Sequence, residues 1–158
     1  MDSDLKKIVY SWIYKERWGF NTVPPTEEIA AYSKALAICA KGNGTLSQAE
    51  REWIIGYVAT TGGDANLIEL LKTYEGNDNL EELASTVEAG KRCLVYDAIA
   101  ACCADKDFDD SERSKVKLIA ETLGISQEIV EQIEDLYHEE RKLFEKRMNL
   151  LFPDKKPY

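Results

Sequence analysis

Five carboxylates fall within eight residues, at Asp105, Asp107, Asp109, Asp110 and Glu112. Acids at alternate positions offer hard oxygen ligands, and Asp105, Asp107 and Asp109 have the opening spacing of a calcium loop. The rest of that pattern fails. Asp110 stands where the sharp turn needs glycine, and Val116 where a bidentate glutamate would close the shell. A simpler chemistry accounts for part of the run: Asp109 as N-cap and Glu112 three residues on form a capping box. Asp105 and Asp107 are the acids that capping leaves over. If the loop holds a cation, the expected ligands are Asp105, Asp107, Asp109 and Glu112, and the expected ion is calcium, magnesium or manganese. Such a set has few oxygens, so water or another helix must complete the shell.

The other reactive side chains do not assemble into a catalytic set. Cys39, Cys93, Cys102 and Cys103 contain no C-x-x-C pair, and the lone histidine, His138, lies among Glu134, Asp135, Glu139 and Glu140. A zinc site needs more nitrogen and sulfur ligands at closer spacing. Buried, reduced thiols and a solvated histidine are the expected state, and no residue pairs as nucleophile and base. The aromatic group Tyr10, Trp12, Tyr14, Trp18 and Phe20 reads as the packing face of a first helix, or as a surface for a partner.

Glycine, proline and capping residues mark the elements that must carry these groups. A first helix is expected over Ser3–Trp18, stopped by Gly19. Val23-Pro24-Pro25 is a connector, and Thr26 is expected to cap a second helix that ends at Lys41-Gly42-Asn43-Gly44. Capping boxes are expected at Ser47–Glu50, Asn79–Glu82 and Asp109–Glu112, and N-caps at Asp64 and Ser126. Glycines at 62, 90 and 124 separate the helices. The last helix carries Val130, Ile133, Tyr137, Phe144, Met148 and Leu151 at helical spacing and stops before Pro153. Residues 153–158 read as a disordered tail, and no segment shows strand alternation.

The start and stop chemistry occurs twice. Thr45–Arg51 (TLSQAER) lies on Asp107–Arg113 (DFDDSER), which sets Ser47 on Asp109, Glu50 on Glu112 and Arg51 on Arg113. Without a gap, Gly62 then meets Gly124 and Asp64 meets Ser126. The expected architecture is an all-α bundle of about seven or eight helices, duplicated internally about a pseudo-twofold. One domain over 1–152 would hold repeat halves at about 26–75 and 91–137, an N-terminal helix at 3–18 and a C-terminal extension at 138–152. The small residues around Ala35–Ala40 and Ala98–Ala104 are expected to form its buried centre.

The stretch from Ala100 to Gly124, AACCADKDFDDSERSKVKLIAETLG, resembles the second half of TerB-type tellurite-resistance domains: an A-D-G-like turn, a phenylalanine, an acidic run, and an amphipathic helix ending at L-G. Here these are Ala104, Asp105, Lys106, Phe108, Asp109, Asp110, Glu112, Leu123 and Gly124. Ile38–Val58 resembles the matching first-half motif, and the likeness spans about Ala31 to Tyr137. Lys106 departs from the family's glycine, and the first loop carries no acid, so a duplicated acidic loop would persist only in the second half. The resemblance implies a non-enzymatic stress-response module, metal association through acidic residues, and protein partners, including a membrane-associated stress complex. A metal-free interaction scaffold is the alternative reading, and a small helical thiol enzyme a third.

Charge bounds the partners. Lys and Arg number 20 against 29 Asp and Glu, a net charge of −9, which repels nucleic-acid phosphates and anionic lipid. No nucleic-acid binding is expected. No run is apolar enough to enter a membrane and no secretion signal is visible, so the expected location is the cytoplasm. The imbalance is also polar along the chain: residues 105–140 hold twelve acids and four bases, residues 141–158 two acids and six bases.

Overall fold

The computed structural model describes residues 3–42, 44–87, 90–105 and 108–155, and of Asp105 the backbone alone. Among the described residues eight α-helices follow one another: α1 (Ser3–Trp18), α2 (Thr26–Lys41), α3 (Gln48–Thr60), α4 (Ala65–Thr73), α5 (Leu80–Thr86), α6 (Lys91–Cys102), α7 (Asp110–Thr122) and α8 (Gln127–Leu151). A short 3-10 turn, Cys103–Asp105, extends α6. No strand occurs among the described residues. None of the described helices is long and apolar enough to cross a membrane.

The centre is made by α2 and α6, which pack on each other. Their small residues permit this: Ala35, Cys39, Ala40, Ala98, Ala101 and Cys102 are essentially without solvent exposure. Around the pair, α3, α5 and α7 lie against α2, while α3, α7 and α8 lie against α6. Leu36, Ile54, Val58, Leu94, Ile99, Val116 and Val130 fill the space between, all within one continuous core.

Local capping sets most helix starts. Ser47, Asp64, Asn79, Asp109 and Ser126 each accept the backbone N–H three residues on. Ser47→Ala removes one such bond and is expected to lower stability by about 1 kcal/mol in a urea melt. Two expectations need correction. Helix α2 does begin at Thr26, but its N-cap is Pro25, which has no side-chain acceptor; Pro25 contributes its carbonyl, which accepts from Ile29 N–H at 3.0 Å. At Asn79 the forward bond to Glu82 N–H is present, whereas both halves of a capping box are seen at Ser47 and Asp109. The glycine after α2 has a packing reason. Gly42 adopts φ +56°, and a Cβ there would lie 2.6 Å from Cβ of Lys115, so glycine stands where the α2–α3 connection passes α7.

Helix α1 is fastened through its C-terminal end. The Tyr14 hydroxyl donates to the Thr61 carbonyl at 3.0 Å, and Trp18 meets Tyr57 edge-on. The aromatic group thus splits: Tyr14 and Trp18 pack inward with Phe20, while Trp12 is exposed with Leu5 and Ile8. At the other end, α8 contributes Val130, Ile133 and Tyr137 to the core, and its later turns leave Leu143, Leu150 and Leu151 in solvent. Its last turn ends at Phe152, with residues 153–155 exposed beyond; 156–158 lie outside the described residues.

Candidate metal centre

The two capping boxes do more than start helices. In α3 the Glu50 carboxylate accepts from Ser47 N–H at 2.5 Å, and in α7 the Glu112 carboxylate accepts from Asp109 N–H at 3.2 Å. Both glutamates are at the third helical position and turn back toward the helix start. Because the 3-10 turn after α6 packs on α3, the two helix starts converge on the end of α6. There a Glu50 oxygen, a Glu112 oxygen and Sγ of Cys102 all lie within 4.8 Å of one another. Glu50 and Cys102 are buried and Glu112 is half-buried.

Two carboxylates in one small, largely dehydrated space repel. The positive ends of the α3 and α7 dipoles offset part of that, since both glutamates lie in a first helical turn. A divalent cation would offset the rest. The thiol is the weakest candidate ligand of the three. Burial drives its pKa well above the ordinary thiol value, and the neighbouring Glu50 and Glu112 charges push it further, so it stays protonated. Its S–H donates to the Ala40 carbonyl at 3.8 Å, so it is not a thiolate ligand. The chemistry on offer is oxygen coordination of a hard ion by two carboxylates.

The acids named from sequence divide accordingly. Glu112 joins the cluster. Asp109 stays at the surface, where its carboxylate accepts from Glu112 N–H at 2.9 Å. Asp105 lies in the 3-10 turn next to the cluster in sequence, but its side chain and all of Asp107 and Lys106 are outside the described residues. Glu50 was not among the expected ligands. The alignment of Glu50 with Glu112 in the matched sequence segments was the available signal. Arg51 and Arg113, the next matched pair, face away from the cluster. Arg51 donates to the carbonyls of Leu71 and Tyr74, and Arg113 to Glu134 at 2.9 Å.

A solved structure shares this architecture along its whole length. The crystal structure of a tellurite resistance protein from Nostoc punctiforme is 39% identical, with a TM-score of 0.92 over 99% of this chain and 100% of that one. This chain belongs to the TerB-like tellurite resistance family. No family model and no curated protein matches it. The all-helical TerB-like fold expected from the paired motifs is therefore the fold observed, with eight helices among the described residues.

A second polar group sits in the core of this TerB-like chain. Asp97, on α6, is 2% exposed. Its carboxylate accepts from the Tyr32 hydroxyl at 2.6 Å and from Arg17 at 3.3 Å, and the Tyr57 ring stacks on Tyr32 beside it. Arg17 is itself held over the Trp18 and Tyr57 rings at 5.0 and 4.8 Å. Burial raises the Asp97 pKa, and the two tyrosines and Arg17 oppose that rise. The network bolts α1 to α2, α3 and α6. Nothing in the sequence pattern flagged it except an acid inside an apolar run, Leu94-Val95-Tyr96-Asp97-Ala98-Ile99. His138 is a surface residue, its Nε2 at 3.6 Å from Glu134.

Proposed function

We propose that this chain is a non-enzymatic, cytoplasmic stress-response module of the tellurite-resistance type that holds a divalent cation between Glu50 and Glu112. The observation that carries the reading is the convergence of these two carboxylates at the meeting of two helix N-termini. Asp105 and Asp107, adjacent in sequence to the end of α6, are proposed to supply further oxygens. Calcium, magnesium or manganese suits such a donor set better than zinc. The family relationship supports the resistance role, because the Nostoc punctiforme protein carries that description.

A metal-free interaction scaffold is the second reading. It is favoured by the hydrogen bond from Ser47 N–H to Glu50 at 2.5 Å, which gives the buried carboxylate a partner without an ion. A thiol enzyme is opposed by the electrostatics. Burial raises all four cysteine pKa values, the reverse of what an activated nucleophile needs.

Thermal melts with calcium, magnesium and manganese separate the first two. Cation binding to the folded state is expected to stabilise by about 2.7 kcal/mol at a hundredfold excess over Kd. Glu50→Gln with Glu112→Gln keeps both capping boxes, since glutamine serves at that position, and is expected to abolish the cation-dependent rise. Asp105→Asn with Asp107→Asn reports whether the loop shares the ion. A wild-type melt indifferent to all three cations ends the metal reading and leaves the scaffold.

A further inference from the structure

The later turns of α8 do not fold flat onto the bundle. They stand off from it and leave an open groove of about 700 Å³, walled by α8 on one side and by the end of α1 and the flanks of α3 and α6 on the other. Its floor is aromatic: Trp53 from α3, Tyr96 from α6 and Phe144 from α8. Its rim is cationic: Arg17, Arg141 and Arg147. Two of these are held in place by stacking, with the Arg141 and Arg147 guanidiniums 4.6 and 5.2 Å from the Phe144 ring. The acid in the groove, Glu140, accepts a hydrogen bond from the Tyr96 hydroxyl. In a chain of net charge −9 the groove is a concentration of the opposite sign.

We propose that this groove is a docking site for an acidic amphipathic segment of a partner protein, bound as a helix. Apolar side chains at three-and-four spacing would cover the aromatic floor, and flanking carboxylates would pair with the arginine rim. The charge segregation selects this occupant. A basic segment meets repulsion from Arg141 and Arg147, and a neutral one leaves these two without a counter-charge as they lose water, whereas Arg17 already pairs with Asp97. An anionic bilayer also attracts arginines, but its surface cannot reach a concave aromatic floor behind a projecting helix. The proposal is independent of the cation site, which shares no residue with the groove.

The test uses two labelled, helix-forming peptides with the same leucine spacing, one with glutamates and one with lysines on its flanks. Fluorescence anisotropy with the full chain is expected to show saturable binding of the glutamate peptide, at least about tenfold tighter than the lysine peptide and weakening with salt. Arg141→Glu with Arg147→Glu is expected to weaken it about tenfold or more. Leu143→Ala, at a residue 66% exposed and so free of folding consequences, is expected to weaken it less. Unchanged melting temperatures confirm that the variants remain folded. Equal affinity for the two peptides, or indifference to the double reversal, overturns the proposal. So does sedimentation of the protein with phosphatidylglycerol vesicles that the double reversal abolishes while the glutamate peptide fails to bind, or a dimer that the reversal dissociates.

Discussion

Asp97→Ala is expected to destabilise the chain by about 1–3 kcal/mol, the range for leaving a buried donor without its acceptor. The residue is 2% exposed, so its loss leaves the Tyr32 hydroxyl without its acceptor in a place where water does not replace it. The Arg17 side chain is 36% exposed, so its ion pair is screened and adds little to that figure. In a chain of this size the loss corresponds to a fall in Tm of roughly 5 °C. Asp97→Asn keeps an acceptor for the Tyr32 hydroxyl and is expected to cost much less. The pH dependence runs in a definite direction. Burial raises the folded-state pKa of Asp97, so the folded chain holds that proton more tightly than the unfolded one. The stability this contributes is complete below the ordinary aspartate pKa of about 4 and is lost as pH rises through the folded value. Asp97→Asn removes that component, so its stability is expected to fall less than wild type between acid and neutral pH. A loss below about 1 kcal/mol for Asp97→Ala would show that the network is not a structural bolt.

The elements were readable wherever their chemistry is local. Ser47, Asp64, Asn79, Asp109 and Ser126 sit at the N-caps that their types and spacing indicated, because a cap is a bond between neighbours three residues apart. Thr26 misled because Pro25 is placed to serve as the cap with its carbonyl alone, and side-chain chemistry says nothing about that. The small-residue helices were readable as the centre because only close-packed helices need alanine and cysteine on several faces at once. The site was readable only in part. Capping explains Glu50 and Glu112 separately, and a reading that stops there misses that the two meet across 62 positions of sequence. Asp97 was less legible still: its partners are 65 and 80 residues away, and no spacing rule links them. The acidic loop drew attention because its charges are adjacent in sequence, whereas the charges the structure brings together are far apart in it.

The cysteines give the largest expected effect of any measurement on this chain. Cys39 is 1% exposed on α2, and burial pushes its pKa up to about 12. At a given pH it therefore holds about a thousandfold less thiolate than a free thiol, before access is considered. Cys102 is fully buried at the end of α6, raised by burial and by the Glu50 and Glu112 charges, and its sulfur lies 3.8 Å from the Ala40 carbonyl. Cys93 and Cys103 are half-buried, with their pKa values raised less. Labelling of the native chain at pH 8 with a maleimide is expected in two classes: Cys93 and Cys103 slowly, Cys39 and Cys102 at least about a thousandfold slower than in urea. Peptide mapping after timed quenching assigns the four rates. The Cys102 rate also reports on the cation site, because an ion held by Glu50 and Glu112 offsets the negative charge beside its sulfur. Saturating manganese is then expected to change the Cys102 rate and leave Cys39 unaltered, and Glu50→Gln with Glu112→Gln is expected to erase that difference. Any cysteine that labels in the native state as fast as, or faster than, it does in urea would reopen the thiol-enzyme reading, because only a local electropositive environment produces that result.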